Sequence, residues 1–254
     1  MIPNPLQIAL RTQQQVLGSW LSLDSPVAAE ALSLLPYDFL VVDMEHAPTG
    51  IGGALAQLQA IGRGGVEPIV RVPWNDGVWI KKTLDIGARN ILVPMVQNAD
   101  EARAAVAATR YPPQGTRGVG TLHRAGRFGL DPNYLHEANA GMTVIAQVET
   151  AEALALLEDI AAVDGVDCIF IGPSDLSASL GFLGRADAPE PQAAMAAAAA
   201  TCARLGKSAG MLAPSVDAAK RYVAMGYNFV AISGDIAHML RAAREVLRAM
   251  GRDA

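Results

Sequence analysis

Eight short apolar runs, each followed by a segment whose apolar residues are spaced three and four apart, recur along this chain. The runs are VLGSWLSL (16–23), FLVVDME (39–45), PIVRVP (68–73), NILVPMV (90–96), TVIAQVE (143–149), DCIFIGP (167–173), SAGMLAP (208–214) and FVAISG (229–234). The segments after them read PVAAEALSLL, GALAQLQAIG, GVWIKKTLDIG, ADEARAAVAATR, AEALALLEDI, PQAAMAAAAATCARL, SVDAAKRYVAMG and DIAHMLRAAREVLRAM. Near-continuous apolar runs suit strands buried on both faces, and strands alternating with helices run parallel. Eight such units in 254 residues predict one (β/α)8 TIM-barrel domain, of α/β class, over residues 1–254, rather than an open doubly wound sheet.

Composition narrows the function classes. No apolar run is long enough to span a bilayer, and MIPNPLQIALRTQQQ lacks the basic start, apolar core and cleavage site of a signal peptide, so a cytoplasmic protein is expected. A net charge of −5 without a basic run argues against nucleic acid as a partner. Cys168 and Cys202 fall inside a strand and a helix, where free cysteine behaves as a small hydrophobe.

The fifth and sixth strands each finish on a carboxylate, Glu149 and Asp175, and the strands of one βαβ unit open on the same face. Two carboxylates at one barrel rim suit Mg²⁺ or Mn²⁺, which bind one or two carboxylates plus water and substrate oxygens. Either acid alone would equally well stabilise the first turn of the next helix. Other polar residues stand at the same ends: Asp43, Glu45 and His46 after the second strand, Arg71 in the third, Pro94 and Gln97 after the fourth, Gln147 in the fifth, Gly172 and Ser174 after the sixth. His46 beside carboxylates is a candidate general base, although hydrogen bonding to a neighbour such as Asp43 would give it a purely structural role. Arg71 on a strand calls for a carboxylate such as Glu45 or for an anionic ligand. The turn GPSD offers backbone N–H groups to a carboxylate.

The four lysines, Lys81, Lys82, Lys207 and Lys220, all lie away from the carboxyl ends of the strands, which excludes a Schiff-base aldolase. No glycine-rich G-x-G-x-x-G follows the first strand, so a nicotinamide site is not indicated. One insertion breaks the rhythm, YPPQGTRGVGTLHRAGRFGLDPNYLHEANAG, and a connection of this length usually carries function. Its Arg117, Arg124 and Arg127 would suit an anionic substrate or a subunit neighbour.

The stretches YDFLVVDMEHAP, IKKTLDIGARNILVPMVQNADEARAAVAATRYPPQGTRGVG, QVETAEAL and GVDCIFIGPSDLSASLG resemble the HpcH/HpaI family of metal-dependent class II pyruvate aldolases, over nearly the whole chain. The resemblance implies a (β/α)8 barrel, a homohexamer whose last helix is exchanged between subunits, and a bound divalent metal, Mg²⁺, Mn²⁺ or Co²⁺. Position by position it implies Glu149 and Asp175 as metal ligands, and Gln147, Gly172 and Ser174 as contacts of a 2-oxo acid. It implies His46 as base, Asp85 as the carboxylate that keeps that histidine basic, and Arg71 as the enolate-stabilising cation. The chain departs from the family pattern at Ser174, often alanine, and at DMEH, often DGEH.

The implied reaction is reversible cleavage of a 4-hydroxy-2-oxo acid to pyruvate, or a close analogue, and an aldehyde. The alternatives are an acyl-CoA lyase of the malyl-CoA or citramalyl-CoA type, which would want a basic patch for the CoA phosphates, and a non-catalytic oxo-acid binder, which would have no use for a base. The last helix carries an apolar stripe, including Leu240 and Leu247, that can cover its own barrel or a neighbour's.

Overall fold

The computed structural model describes residues 3–62 and 64–252. Eight parallel strands close on themselves in sequence order. They are β1 (Val16–Leu21), β2 (Phe39–Asp43), β3 (Glu67–Arg71), β4 (Asn90–Val93), β5 (Thr143–Val148), β6 (Cys168–Ile171), β7 (Ser208–Ala213) and β8 (Phe229–Gly234). All eight runs expected from the sequence are strands, but the ladders stop one to three residues before the ends of most runs. The residues beyond the ladders turn over the barrel mouth, where the polar groups of the sequence lie.

The helices that cover the barrel are α2 (Pro26–Ser33), α3 (Ile51–Ile61), α4 (Gly77–Asp85), α5 (Ala99–Thr109), α7 (Ala151–Ala155), α8 (Leu157–Ala161), α9 (Pro173–Ser179), α10 (Pro189–Arg204), α11 (Val216–Ala224) and α12 (Asp235–Ala249). The segment AEALALLEDI, expected as one helix, breaks at Leu156, whose backbone leaves helical geometry (φ −104°, ψ 14°). GPSD opens a short helix of its own, α9, so the sixth strand is followed by two helices. The insertion after α5 contains a 3-10 turn at Arg124–Gly129, the single turn α6 (Tyr134–Glu137) and a second 3-10 turn at Ala138–Gly141. No helix among the described residues is long and apolar enough to cross a membrane.

One further helix, α1 (Pro5–Arg11), was not anticipated. Its cap Asn4 donates from Nδ2 to Asn90 Oδ1 at 2.8 Å and to Thr143 Oγ1 at 3.0 Å, tying the helix to the first residues of β4 and β5. Leu6 and Leu10 then join the barrel interior and close its amino end.

Two concentric cores follow from the alternation of side chains along each strand. Val41, Ile69, Leu92, Ile145, Cys168, Phe170, Phe229 and Ala231 point inward, with Val16 and Trp20. Val42, Val70, Ile91, Val93, Val144, Ile169 and Ile171 pack outward against the helices. The interior is stacked with rings, Phe39 on Phe229 at 4.3 Å and Trp20 on Phe170 at 5.7 Å between centroids. Gly18 has to be glycine, because a Cβ there would lie 2.4 Å from the Phe39 ring.

Candidate active site

The same alternation selects the side chains of the barrel mouth. Two residues beyond inward-facing Val41, Ile69, Ile145 and Phe170 stand Asp43, Arg71, Gln147 and Gly172, and two beyond Gln147 stands Glu149. Asp43 and Arg71 are register partners on neighbouring strands. Arg71 donates from Nε to Asp43 Oδ1 at 2.8 Å and from Nη2 to Oδ2 at 2.6 Å, a fork matched to a carboxylate. Its Nη1 lies 2.8 Å from Glu45 Oε2, and the guanidinium sits 4.9 Å from the centre of the Trp20 ring. The sequence offered Glu45 as the partner of Arg71; the structure adds Asp43 and an aromatic face. The signal for Trp20 was its inward parity on the first strand.

Asp43 also organises the turn that follows it. Its Oδ1 accepts the backbone N–H of Glu45 at 3.0 Å and of His46 at 3.4 Å. This turn folds Glu45 back over the mouth, where it is 12% exposed, and leaves the His46 side chain 65% exposed at the rim. Glu45 Oε1 lies 3.9 Å from His46 Nε2. Burial pushes the Asp43 carboxyl up, but the hydrogen bond and charge of Arg71 outweigh it and leave the group below its ordinary range. Glu45 ends above its ordinary range, because burial dominates over Arg71 and the charges of Asp43 and Asp175 act in the same direction as burial.

Glu149 is almost wholly buried. Its Oε1 accepts the N–H of Met95 at 2.8 Å and its Oε2 accepts from Gln147 Nε2. Met95 adopts a left-handed backbone (φ 54°), unusual for a side chain of its kind, and thereby turns its N–H toward the carboxylate. Nothing in the sequence announced this. Gly172 must also be glycine, since a Cβ would lie 2.3 Å from Glu149 Oε2. Burial pushes the Glu149 carboxyl up to about 7; the Met95 N–H opposes the shift, and Glu45 and Asp175 add to it.

Asp175 and Ser174 occupy the first turn of α9 and are exposed at the rim. Asp175 lies near enough to Glu149 and Glu45 for its charge to act on both. Beside Ser174 and Trp20 opens a cavity of about 740 Å³, reaching past Leu212 and Ser233 to the start of α12.

The donor set fits a hard divalent cation. Asp43 and Glu45 share the guanidinium of Arg71, while Glu149 has only the Met95 N–H and the Gln147 amide, so the mouth is negative overall when the acids are ionised. Gln147 Oε1 is buried and has no hydrogen-bond partner. Among the described residues no three His, Cys, Asp or Glu converge to chelate a metal unaided. Two carboxylates with open positions are the arrangement Mg²⁺ and Mn²⁺ accept, because these ions keep water and substrate oxygens.

Asp85, Arg117, Arg124 and Arg127 are placed differently from the mouth residues. Asp85 ends α4 and accepts from Arg117 Nη2 at 2.8 Å, with His123 Nε2 3.7 Å away. Arg117 is fully buried and stacks 4.4 Å over Tyr111, so its role is internal. Arg124 donates to the Ile86 carbonyl at 2.7 Å, while Arg127 is exposed in a left-handed turn. Within the protomer no described contact joins Asp85 to His46.

A closed parallel barrel with carboxylates, an arginine and a histidine gathered at its carboxyl mouth is the architecture of a barrel enzyme. Residues 16–242 match the sequence profile of the HpcH/HpaI aldolase/citrate lyase family, and the chain belongs to that family. A 4-hydroxy-2-oxo-heptane-1,7-dioate aldolase of Salmonella heidelberg is 47% identical over 98% of this chain and 95% of that protein. The crystal structure of a family member from Burkholderia cenocepacia superposes with a TM-score of 0.95 at 42% identity, covering 97% of this chain and 99% of that one. An HpcH/HpaI aldolase from Desulfitobacterium hafniense gives a TM-score of 0.87 at 28% identity, covering 96% of each chain. The protein is a lyase of the aldolase type.

Proposed function

We propose that the protein reversibly cleaves 4-hydroxy-2-oxo acids to pyruvate, or a close 2-oxo acid, and an aldehyde, with a divalent cation held by Glu149 and Asp175. The observation that carries this reading is the barrel mouth itself: a buried carboxylate fixed by Met95 and Gln147, beside an arginine locked between Asp43 and Glu45. The Salmonella relative, whose name specifies a 4-hydroxy-2-oxo diacid, supports the substrate class.

Breaking the bond between C3 and C4 leaves an electron pair that settles on the C2 oxygen as an enolate. Arg71, unable to rotate away from Asp43, presents its guanidinium at that oxygen as a preorganised positive charge. A divalent cation held by Glu149 and Asp175 would supply Lewis-acid stabilisation of the same charge. His46, exposed at the rim, takes the proton of the C4 hydroxyl. Gln147 and the backbone at Gly172 and Ser174 orient the carboxylate end of the oxo acid, and the cavity beside Ser174 receives the aldehyde portion.

Asp85 is held by Arg117 in its own protomer, so a pairing with His46 would be made between protomers. A homohexamer with exchanged last helices suits α12. Asp235 anchors it by accepting the N–H of Ser22 and Leu23, while Ile236, Met239, Leu240, Val246 and Leu247 remain exposed along its length. We place the enzyme in the cytoplasm, acting on small molecules, with neither nucleic acid nor membrane as partner. Cleavage of 4-hydroxy-2-oxo-heptane-1,7-dioate, followed through pyruvate released in the presence of Mg²⁺, Mn²⁺ or Co²⁺, tests the reading. Turnover that needs metal is expected, and metal-independent turnover or none with any 4-hydroxy-2-oxo acid overturns it.

A further inference from the structure

The site contains an acid that the proposed reaction does not use. Glu45 is mostly buried, and its Oε2, although 2.8 Å from Arg71 Nη1, lacks a hydrogen bond of proper geometry. An acid in such a place without a full partner costs stability, so its presence there asks for a reason. Arg71 already has its matching carboxylate in Asp43, which occupies Nε and Nη2 together. A second acid is therefore not needed to neutralise the arginine.

Two geometric facts and one electrostatic one say what the second acid does. The Asp43 turn aims Glu45 into the mouth rather than toward solvent. Its two oxygens stand between the guanidinium of Arg71 and the imidazole of His46. Its charge acts on Glu149, and that of Asp175 acts on Glu45, so it lies within electrostatic reach of both acids assigned to the cation.

We propose that Glu45 is a positioning residue: a third carboxylate that does not ligate the cation but raises its affinity for the Glu149 and Asp175 pair, while bracing Arg71 from the side opposite Asp43. The inference rests on the cation site proposed above and extends it to a residue with no assigned role. Residues that support metal ligands from outside typically change metal affinity or activity by about 10- to 100-fold, and a carboxylate acting by charge alone belongs at the lower end of that range.

The test is Mn²⁺ binding to the full-length protein, read by the electron paramagnetic resonance signal of free Mn²⁺ and so independent of turnover. Glu45→Gln should weaken Mn²⁺ binding by about tenfold, and Glu45→Asp, which restores the charge, should recover most of that loss. A purely structural role would not distinguish the two variants by charge. Should Glu45→Gln fail to fold, Glu45→Ala is read the same way. A Mn²⁺ Kd within about twofold of wild type in folded Glu45→Gln overturns the inference and leaves the proposed function standing, provided Glu149→Gln abolishes binding. Wild-type protein that binds no Mn²⁺ overturns the cation site and this inference with it.

Discussion

Replacing Glu149 by glutamine should make the metal-free protein more stable above neutral pH. The carboxyl sits at about 7 in the folded chain against 4.5 for an ordinary glutamate, chiefly through burial. A folded state that holds a proton more tightly than the unfolded chain loses stability as pH rises between those two values. At about 1.4 kcal/mol per unit, the ionised side chain costs the fold about 3 kcal/mol at pH 8 and about 1 kcal/mol at pH 5. Glutamine keeps the shape, and its amide oxygen can still accept the Met95 N–H. Its NH₂ would face Gln147, whose Oε1 has no partner and becomes an acceptor once that amide turns over. Urea unfolding in chelator, at pH 8 and at pH 5, measures the difference. The variant should gain on wild type by about 1–3 kcal/mol at pH 8 and by much less at pH 5. A variant less stable than wild type at pH 8, or a difference that ignores pH, would refute the view that Glu149 is a strained anion awaiting a cation.

Other consequences are open to direct measurement. Mn²⁺ affinity should rise about tenfold per pH unit below 7 and level off above it, because the cation must displace the Glu149 proton; a flat titration would contradict this. Arg71→Lys keeps a charge but loses the fork on Asp43, and kcat should fall by about 10²–10³ with folding preserved. Alanine at this position would also strand Asp43 and Glu45, so lysine separates chemistry from stability better. Mixed oligomers of His46→Ala and Asp85→Ala protein, refolded together, should regain activity that neither has alone if the pair is made between protomers; the absence of recovery rules out a pairing of Asp85 with His46 across protomers. Cys168 and Cys202 are buried, with Cys202 pushed up to about 12, and neither should react with a thiol reagent at pH 8 until the barrel unfolds.

The barrel was legible because each strand is buried on both faces, which makes the apolar runs nearly continuous and the helical segments between them distinct. The rim was legible by parity. Asp43, Arg71, Gln147 and Glu149 continue the inward-facing rows, and a polar residue in such a row has nowhere to go but the mouth. What the sequence hid depends on contacts between distant segments. PLQIALR reads as a short amphipathic stretch, and only Asn4 reaching Asn90 and Thr143 makes it the floor of the barrel. Met95 gives no sign of its left-handed backbone, whose N–H meets Glu149 from the neighbouring strand. Arg117 looked like a substrate-binding arginine on a loop; Asp85, Tyr111 and Tyr134 enclose it instead. The break at Leu156 likewise has no glycine or proline to mark it.

The most direct measurement is exchange of the methyl protons of pyruvate in D₂O, followed by NMR, with protein stripped of metal and then resupplied with Mg²⁺, Mn²⁺ or Co²⁺. It reads enolate formation without requiring the natural aldehyde. The expected result is exchange that needs metal and disappears in Glu149→Ala. Exchange that persists without metal, or that survives in Glu149→Ala, would contradict a metal-held enolate at this barrel mouth.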